Sequence, residues 1–219
     1  DQTYKSQSIQ FVKERETVRF FFPRAAFENN TANLPFYLIV EQFHGILTDQ
    51  MKGFYRSKYT SHLDKSTQYL ALTQFEAVDA RRAFPCFDEP ALKATFQLSL
   101  VIDRNLTGIC NTHCIASRSI SPTQKLLSFD RTPPMSTYLV TCVVGDFDYI
   151  EEQSKSNVAI RVYTPPGRSK HGAFALKVAI KAIQFLEDFF QIPYPLKKLD
   201  LISCADFAAG AMEGWGAVT

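Results

Sequence analysis

Residues 158–190, VAIRVYTPPGRSKHGAFALKVAIKAIQFLEDFF, decide the fold because the apolar pattern changes within them. Residues 158–163 are rich in β-branched and aromatic side chains over the length of one strand, and TPPGR at 164–168 then interrupts the strand. From about residue 170 to 190 apolar side chains recur at helical spacing, and Ile192-Pro193 ends that pattern. The stripe predicted to face the core consists of Phe174, Val178, Ile183, Phe185, Leu186 and Phe189. The chain is therefore predicted to divide into residues 1–163 and residues 164–219.

The part before this division is predicted to be an antiparallel, layered β domain. Short runs rich in Val, Ile, Phe, Tyr and Thr alternate there with turn residues, which is typical of such domains. The predicted strands are residues 17–22, 36–41, 69–73, 95–102, 138–144 and 158–163. After the helix, residues 199–204 are predicted to form a buried strand that leads to a glycine-rich segment.

That segment, GAMEGWGAVT at residues 210–219, holds a single carboxylate, Glu213, among glycines and apolar residues. Glycine lets a backbone approach a ligand closely, and a charge among small apolar residues needs a partner. The pattern suits a carboxylate held out toward a cation, and it also fits a turn with a solvated Glu. A second candidate is TQFE at residues 73–76, where Gln74 and Glu76 would project from one face of a strand. Taken alone, these two residues also fit a solvated strand edge.

Composition and charge exclude several functional classes. Hydrophobic residues make up 46% of the chain and charged residues 21%, and the net charge is +2. Nothing therefore indicates nucleic acid or an anionic membrane as a partner, and no run of 18 apolar residues marks a membrane segment. The sequence also lacks a phosphate-binding glycine loop and a nucleophile elbow. It opens with Asp1 and without a signal peptide, which indicates a chain shortened at this end.

Cysteine usage bears on the cellular compartment. Five cysteines at irregular spacing argue against a disulfide framework and favour a reducing compartment. Glycosylation triplets at residues 29–31 and 105–107 point the other way. The cytoplasm is predicted, with the extracellular ectodomain of a membrane-anchored enzyme as the alternative. CNTHC at residues 110–114 has no second Cys/His pair at a suitable spacing and is predicted to be a loop between strands, not a zinc site.

Five blocks in a fixed order resemble the zinc aminopeptidases of the aminopeptidase N family, and within it the cytosolic puromycin-sensitive branch. The blocks are GILTDQMKGFYRSKY at 45–59, TQFEAVDARRAFPCFDEP at 73–90, PMSTYLVTCVVGDF at 134–147, FFQIPYPLKKLD at 189–200 and GAME at 210–213. The resemblance implies a mainly β chain. In it, a saddle-like antiparallel β domain would be followed by the start of a thermolysin-like α/β catalytic domain.

The resemblance also implies a function. The protein would be a zinc metallo-aminopeptidase that removes the N-terminal residue from peptides with a free N-terminus. The implied substrate-binding residues are Gln74, Glu76, Gly210, Ala211, Met212 and Glu213. Among them, Glu76 and Glu213 would hold the substrate's free amine between them. Gly214 stands where the family carries Asn, which predicts a looser placement of Glu213.

The same resemblance places the metal outside this sequence. The family binds Zn²⁺ through a His-Glu-x-x-His helix and a later Glu, and none of the four histidines here belongs to such a motif. The ligands are therefore expected beyond Thr219, with no metal ligand and no catalytic residue in the chain itself. The chain would then be the amino-terminal part of an enzyme. The alternative is a non-catalytic peptide-binding or interaction module.

Overall fold

The computed structural model describes residues 3–28 and 37–219. These residues form 13 strands and two helices. The strands are β1 (Ser8–Val12), β2 (Thr17–Phe21), β3 (Gly53–Thr60), β4 (Thr67–Gln74), β5 (Ser99–Asp103), β6 (Thr107–Cys110), β7 (Cys114–Ser119), β8 (Gln124–Phe129), β9 (Cys142–Gly145), β10 (Asp148–Gln153), β11 (Ala159–Thr164), β12 (Lys198–Ile202) and β13 (Ala217–Val218). The helices are α1 (Ala25–Glu28) and α2 (Ala173–Phe190).

The described strands are arranged in four sheets. β1 and β2 form a two-stranded pair, and β5-β8-β7 form a three-stranded sheet. The central sheet has the order β3-β4-β9-β6, and its neighbouring strands are all antiparallel. The fourth sheet, β10-β11-β12-β13, begins with an antiparallel pair and continues with two parallel pairs. A chain of mainly antiparallel sheets followed by the opening of an α/β unit confirms the predicted fold class.

The central sheet follows from the alternation of its side chains. In β3, Tyr55, Ser57 and Tyr59 are buried while the residues between them are more exposed, as the pleat of a strand with one covered face requires. Tyr55 packs with Leu72 of β4 and Val143 of β9, and all three are fully buried. This core fixes the carboxyl end of β4, where the first candidate site residues lie.

Helix α2 buries a different stripe from the one predicted. Leu176, Ala179 and Ile183 are buried and pack with apolar residues of β11. The prediction holds for Ile183 and is wrong for its other five members, which are exposed: Phe174, Val178, Phe185, Leu186 and Phe189. Both sets have helical spacing, so spacing alone does not select between them. The helix ends are confirmed, since a 3-10 turn leads into Ala173 and Gln191 ends the helix in the left-handed region.

The predicted strands are mostly present with shifted ends. Four of them coincide with β2, β4, β11 and β12. The fifth, 95–102, narrows to β5, and the sixth, 138–144, becomes a 3-10 turn at Thr137–Leu139 followed by β9. The prediction at 36–41 is wrong for residues 37–41, which form no strand; residue 36 and the glycosylation triplet at 29–31 lie outside the described residues.

One sheet carries strands from both sides of the predicted division at residue 163. β11 ends one residue after that position and β12 follows it. The two strands pair in parallel, with Ala159 opposite Lys198 and Tyr163 opposite Ile202. The division into 1–163 and 164–219 stays a prediction. No helix in residues 3–28 or 37–219 combines the length and apolar character needed to cross a bilayer.

Candidate functional site

Residues 210–219 fold back on themselves through their own backbone. The Met212 N–H donates to the Thr219 carbonyl at 2.7 Å, and the Thr219 N–H donates to the Met212 carbonyl at 3.2 Å. The turn between them is closed by the Ala217 N–H, which donates to the Gly214 carbonyl at 3.0 Å. Side chains along an extended backbone alternate in direction, and accordingly Met212 is buried while Ala211 and Glu213 on either side of it are exposed.

Gln74 and Glu76 do not share a strand face. β4 ends at Gln74, which is buried, and Glu76 lies in the turn that follows, where it is exposed. Phe75 between them is buried in the core, and the peptide bond after Glu76 is cis. The prediction that Gln74 and Glu76 project together from one strand is therefore wrong, because the strand ends too early.

The structure brings the two candidate segments together through their buried residues. The Gln74 Nε2 lies 3.8 Å from the Met212 Sδ, within reach of a weak hydrogen bond to sulfur. Phe75 and Met212 belong to the same core cluster, which also contains Met135 and Val140. Glu76 directly follows Phe75 in the sequence and Glu213 directly follows Met212, so each carboxylate is adjacent to a residue of the same core cluster. Neither carboxylate has a hydrogen bond or ion pair with any residue that the structure describes.

Gly210 and Gly214 differ sharply in their surroundings. Gly210 is exposed, and a Cβ built there would meet nothing within 4 Å. At buried Gly214 a Cβ would lie 2.0 Å from the Thr141 Oγ1 and 2.5 Å from the Ala217 carbonyl oxygen. The packing leaves no space for a side chain at Gly214. The looser placement of Glu213 stays a prediction.

Substitution of the two glycines should therefore have unequal effects. We expect Gly214→Ala to lower the free energy of unfolding by about 1–3 kcal/mol, since the new methyl group overpacks a backbone carbonyl. Gly210→Ala is the matched control and should stay within about 0.5 kcal/mol of the parent. Urea unfolding of both variants is the measurement. Equal midpoints for the two would show that the backbone at Gly214 moves aside freely.

Asn111 anchors this segment, and the sequence reading missed it. Its side chain is 1% exposed. Its Nδ2 donates to the Leu139 carbonyl at 2.8 Å and to the Trp215 carbonyl at 2.9 Å, while its Oδ1 accepts from the Thr141 N–H at 2.8 Å. The amide thus binds three backbone groups, through two buried hydrogen bonds and one that is partly buried. The predicted loop between strands at CNTHC is confirmed, because Cys110 ends β6 and Cys114 begins β7.

Lys198 is the second anchor that the sequence reading missed. Its Nζ donates to the Cys110 carbonyl at 2.5 Å and to the Gly216 carbonyl at 2.8 Å, and lies 2.6 Å from the Asp200 Oδ2. Lys198 and Asp200 are each 2% exposed. Burial lowers the pKa of Lys198 and raises that of Asp200, although their mutual attraction opposes both shifts. A buried pair of this kind depends on both partners being present.

A metal site does not fit the residues described. In the ranges 3–28 and 37–219, no three His, Cys, Asp or Glu side chains come together in a way that could hold a metal ion. His113 of the CNTHC loop instead lies 3.9 Å from an Asp130 carboxylate oxygen. No metal-dependent step is therefore assigned to any residue of this chain.

Comparison with known families identifies the chain. Residues 2–139 match the Peptidase M1 N-terminal domain, and residues 174–219 match the Peptidase family M1 domain. The chain belongs to peptidase family M1. This confirms the family that the five ordered sequence blocks resemble. The interval between the two M1 matches contains the predicted division at residue 163, without fixing where it falls.

Several M1 relatives are similar over most of this chain. The alanine/arginine aminopeptidase of Saccharomyces cerevisiae is 45% identical over 207 residues, which is 94% of this chain and 24% of the relative. Aminopeptidase M1-C of Oryza sativa subsp. japonica is 48% identical over 83% of this chain, and 20% of that relative is covered. The puromycin-sensitive aminopeptidase of Caenorhabditis elegans is 46% identical over 81% of this chain and 19% of its own length. The chain thus spans only 19% to 24% of the length of these relatives.

Proposed function

We propose that the chain is part of a zinc-dependent aminopeptidase and that it supplies the residues that hold the free amino terminus of a peptide. The observation that carries the proposal is the packing of Met212 against the carboxyl end of β4, with the Gln74 Nε2 3.8 Å from the Met212 Sδ. This contact brings the sequence neighbourhoods of Glu76 and Glu213 to one core cluster. Membership of family M1 and the names of the relatives support the reaction type.

The two carboxylates account for the preference for a free amine. A peptide's terminal amine has a pKa of about 7.7–8.0 and is mostly cationic at neutral pH. Carboxylates directed at one spot repel each other unless a cation lies between them. Glu76 and Glu213 are exposed and without partners among the described residues, so both are available to such a cation. An internal peptide segment brings no charge to this place.

The backbone of residues 211–213 suits an extended peptide. The backbone N–H and carbonyl of Met212 are both hydrogen-bonded to Thr219. The backbone groups of Ala211 and Glu213 have no partner in the described part of the chain. A peptide strand can add to such an open edge through main-chain hydrogen bonds. The Gln74 Oε1 is buried without a partner in the described part of the chain.

The proposal includes a zinc ion but assigns no residue of this chain to it. Zinc, when bound in such enzymes, makes its bound water a nucleophile near neutral pH. The proposal assigns zinc ligands to none of the described residues and keeps the expectation that they lie beyond Thr219. The cytoplasm remains the proposed compartment, supported by five cysteines that are all free thiols in the structure.

The test compares one short peptide with a free N-terminus and the same peptide with an acetylated N-terminus. We expect Glu213→Gln and Glu76→Gln each to weaken binding of the free peptide about tenfold, since each loses a charged hydrogen bond to the amine. The preference for the free over the acetylated peptide should fall by the same factor. Glu152→Gln is the matched control, because Glu152 is an exposed carboxylate on β10.

The outcomes separate the parts of the proposal. An unchanged preference for the free amine in both variants would overturn the amine-holding role and leave family membership intact. Saturable peptide binding without hydrolysis in the longer protein that carries the expected zinc ligands would instead support the non-catalytic peptide-binding alternative.

A further inference from the structure

Asp206 lies in the segment that joins β12 to residues 210–213, and its side chain binds the edge strand of the central sheet. β3 is that edge strand, and an edge strand presents backbone N–H and carbonyl groups without a partner strand. The Asp206 Oδ2 accepts the Lys58 N–H of β3 at 3.1 Å. The carboxylate thus takes the place of a neighbouring strand at this position, and a hydrogen bond to a charged acceptor is stronger than a neutral one.

The backbone of Asp206 is bound to β3 as well. The Tyr55 hydroxyl donates to the Asp206 carbonyl at 2.8 Å, and the Asp206 N–H donates to the Ser57 Oγ at 3.1 Å. Tyr55 and Ser57 are both 0% exposed. Burial raises the pKa of Tyr55, so its hydroxyl stays protonated and able to donate. Three hydrogen bonds therefore hold this one residue against one strand.

The same segment reaches the carboxyl end of β4 at Met212. Phe207, next to Asp206, packs against the core of the central sheet and also against the core cluster that contains Met212. Residues 208–211 are exposed, and none of them forms a hydrogen bond with another residue in the described part of the chain. The path of the segment is thus set from its two ends, by Asp206 and Phe207 on one side and by Met212 on the other.

We propose that Asp206 is a positioning residue for Glu213, because its hydrogen bonds to β3 fix the start of the segment that carries this carboxylate. A binding residue keeps its position only if the groups that support it are themselves held by packing and hydrogen bonds. The consequence for a substrate amine rests on the amine-holding role proposed for Glu213. The attachment to β3 does not depend on that role, so the two can be tested separately.

The first measurement is hydrogen exchange of backbone amides in the folded protein without peptide. The Met212 N–H, which donates to the Thr219 carbonyl, reports on the order of the segment. We expect Asp206→Ala to speed its exchange about fivefold or more, because a hydrogen bond to a charged group is lost, and to leave the amides of β4 unchanged. Asp148→Ala is the matched control, since Asp148 is an exposed carboxylate that accepts a backbone N–H, that of Gly167, elsewhere in the fold. Equal exchange at Met212 in the two variants would overturn the positioning role.

The second measurement is isothermal titration with the short peptide in its free and its acetylated form. Asp206→Ala should weaken binding of the free peptide about fivefold and lower its preference over the acetylated one. A residue that only stabilises the fold would leave both values unchanged in the folded protein. Asp206→Asn should restore them, since an amide oxygen can still accept the Lys58 N–H. Failure of Asp206→Asn to do so would show that the charge of Asp206 meets the amine directly, which contradicts a positioning role.

A third variant acts from the side of the strand. Tyr55→Phe removes the donor to the Asp206 carbonyl and keeps the aromatic ring in the core. It should speed exchange at Met212 and weaken binding of the free peptide, as Asp206→Ala does. A parent protein that binds the free and acetylated peptides equally would overturn the amine-holding role, and exchange at Met212 would still decide whether Asp206 positions the segment. Unchanged exchange in both Tyr55→Phe and Asp206→Ala would refute the inference.

Discussion

Replacement of Lys198 by Met is expected to lower the free energy of unfolding by about 3–5 kcal/mol, the usual cost of breaking a buried charged pair from one side. The change removes the donor that serves the Cys110 and Gly216 carbonyls at 2.5 and 2.8 Å. It also leaves the Asp200 carboxylate buried, with the Arg161 Nη1 at 3.7 Å as its remaining cation. Met has nearly the length of Lys, so the loss is mainly one of charge and hydrogen bonding.

Urea unfolding of two further variants makes this test specific. Lys197→Met changes the exposed neighbouring lysine and should stay within about 0.5 kcal/mol of the parent. The double variant Lys198→Met with Asp200→Leu should recover much of the loss, because replacing both members of a buried pair by apolar residues is often neutral. A double variant no more stable than Lys198→Met alone would show that the unpaired carboxylate is not the cause.

Replacement of Asn111 by Leu is expected to cost about 3–5 kcal/mol of stability, since each buried backbone group left unsatisfied costs about 1–3 kcal/mol. The carbonyl of Trp215 and the N–H of Thr141 lose the Asn111 side chain as partner, and the carbonyl of Leu139 keeps only the Thr141 Oγ1 at 3.3 Å. Leu has a similar size, so packing is largely conserved. The expected loss is therefore that of three hydrogen bonds and not of a cavity.

The measurement is again urea unfolding, with Asn105→Leu as the control, because Asn105 is exposed in the turn between β5 and β6. Peptide affinity measured at low temperature, where the variant is expected to stay folded, would report on residues 214–216 as well, since Trp215 is one of the partners. Similar midpoints for Asn111→Leu and Asn105→Leu would mean that water replaces the lost contacts.

Local sequence patterns predicted the parts of the fold that are set by residues adjacent in sequence. The helix could be placed because Pro193 follows its end, and β11 because its β-branched run is interrupted by TPPGR. The buried stripe of α2 could not be predicted in this way. Phe185 and Phe189 have the same helical spacing as Ile183, and only tertiary contacts show that Ile183 is buried and the two Phe side chains are exposed. Residues 37–41 have strand-like composition but no strand to pair with among those described.

The motifs of the candidate site could be predicted from the sequence, but the buried residues that hold its backbone in place could not. GAME at 210–213 and Gln74 were found from the resemblance, and the structure places Gln74 against Met212. Lys198 contacts the Cys110 carbonyl across 88 positions and Asn111 contacts the Trp215 carbonyl across 104. No local pattern reveals partners so distant. A lone Lys in a strand and an Asn in a loop are ordinary at their own positions.

Because Asn111 and Lys198 hold the carbonyls of Trp215 and Gly216, the backbone after Glu213 is held by the loop after β6 and by β12 before any ligand binds. A peptide that docks along residues 211–213 therefore meets a preorganised edge. Little conformational entropy of the protein is left to be lost on binding.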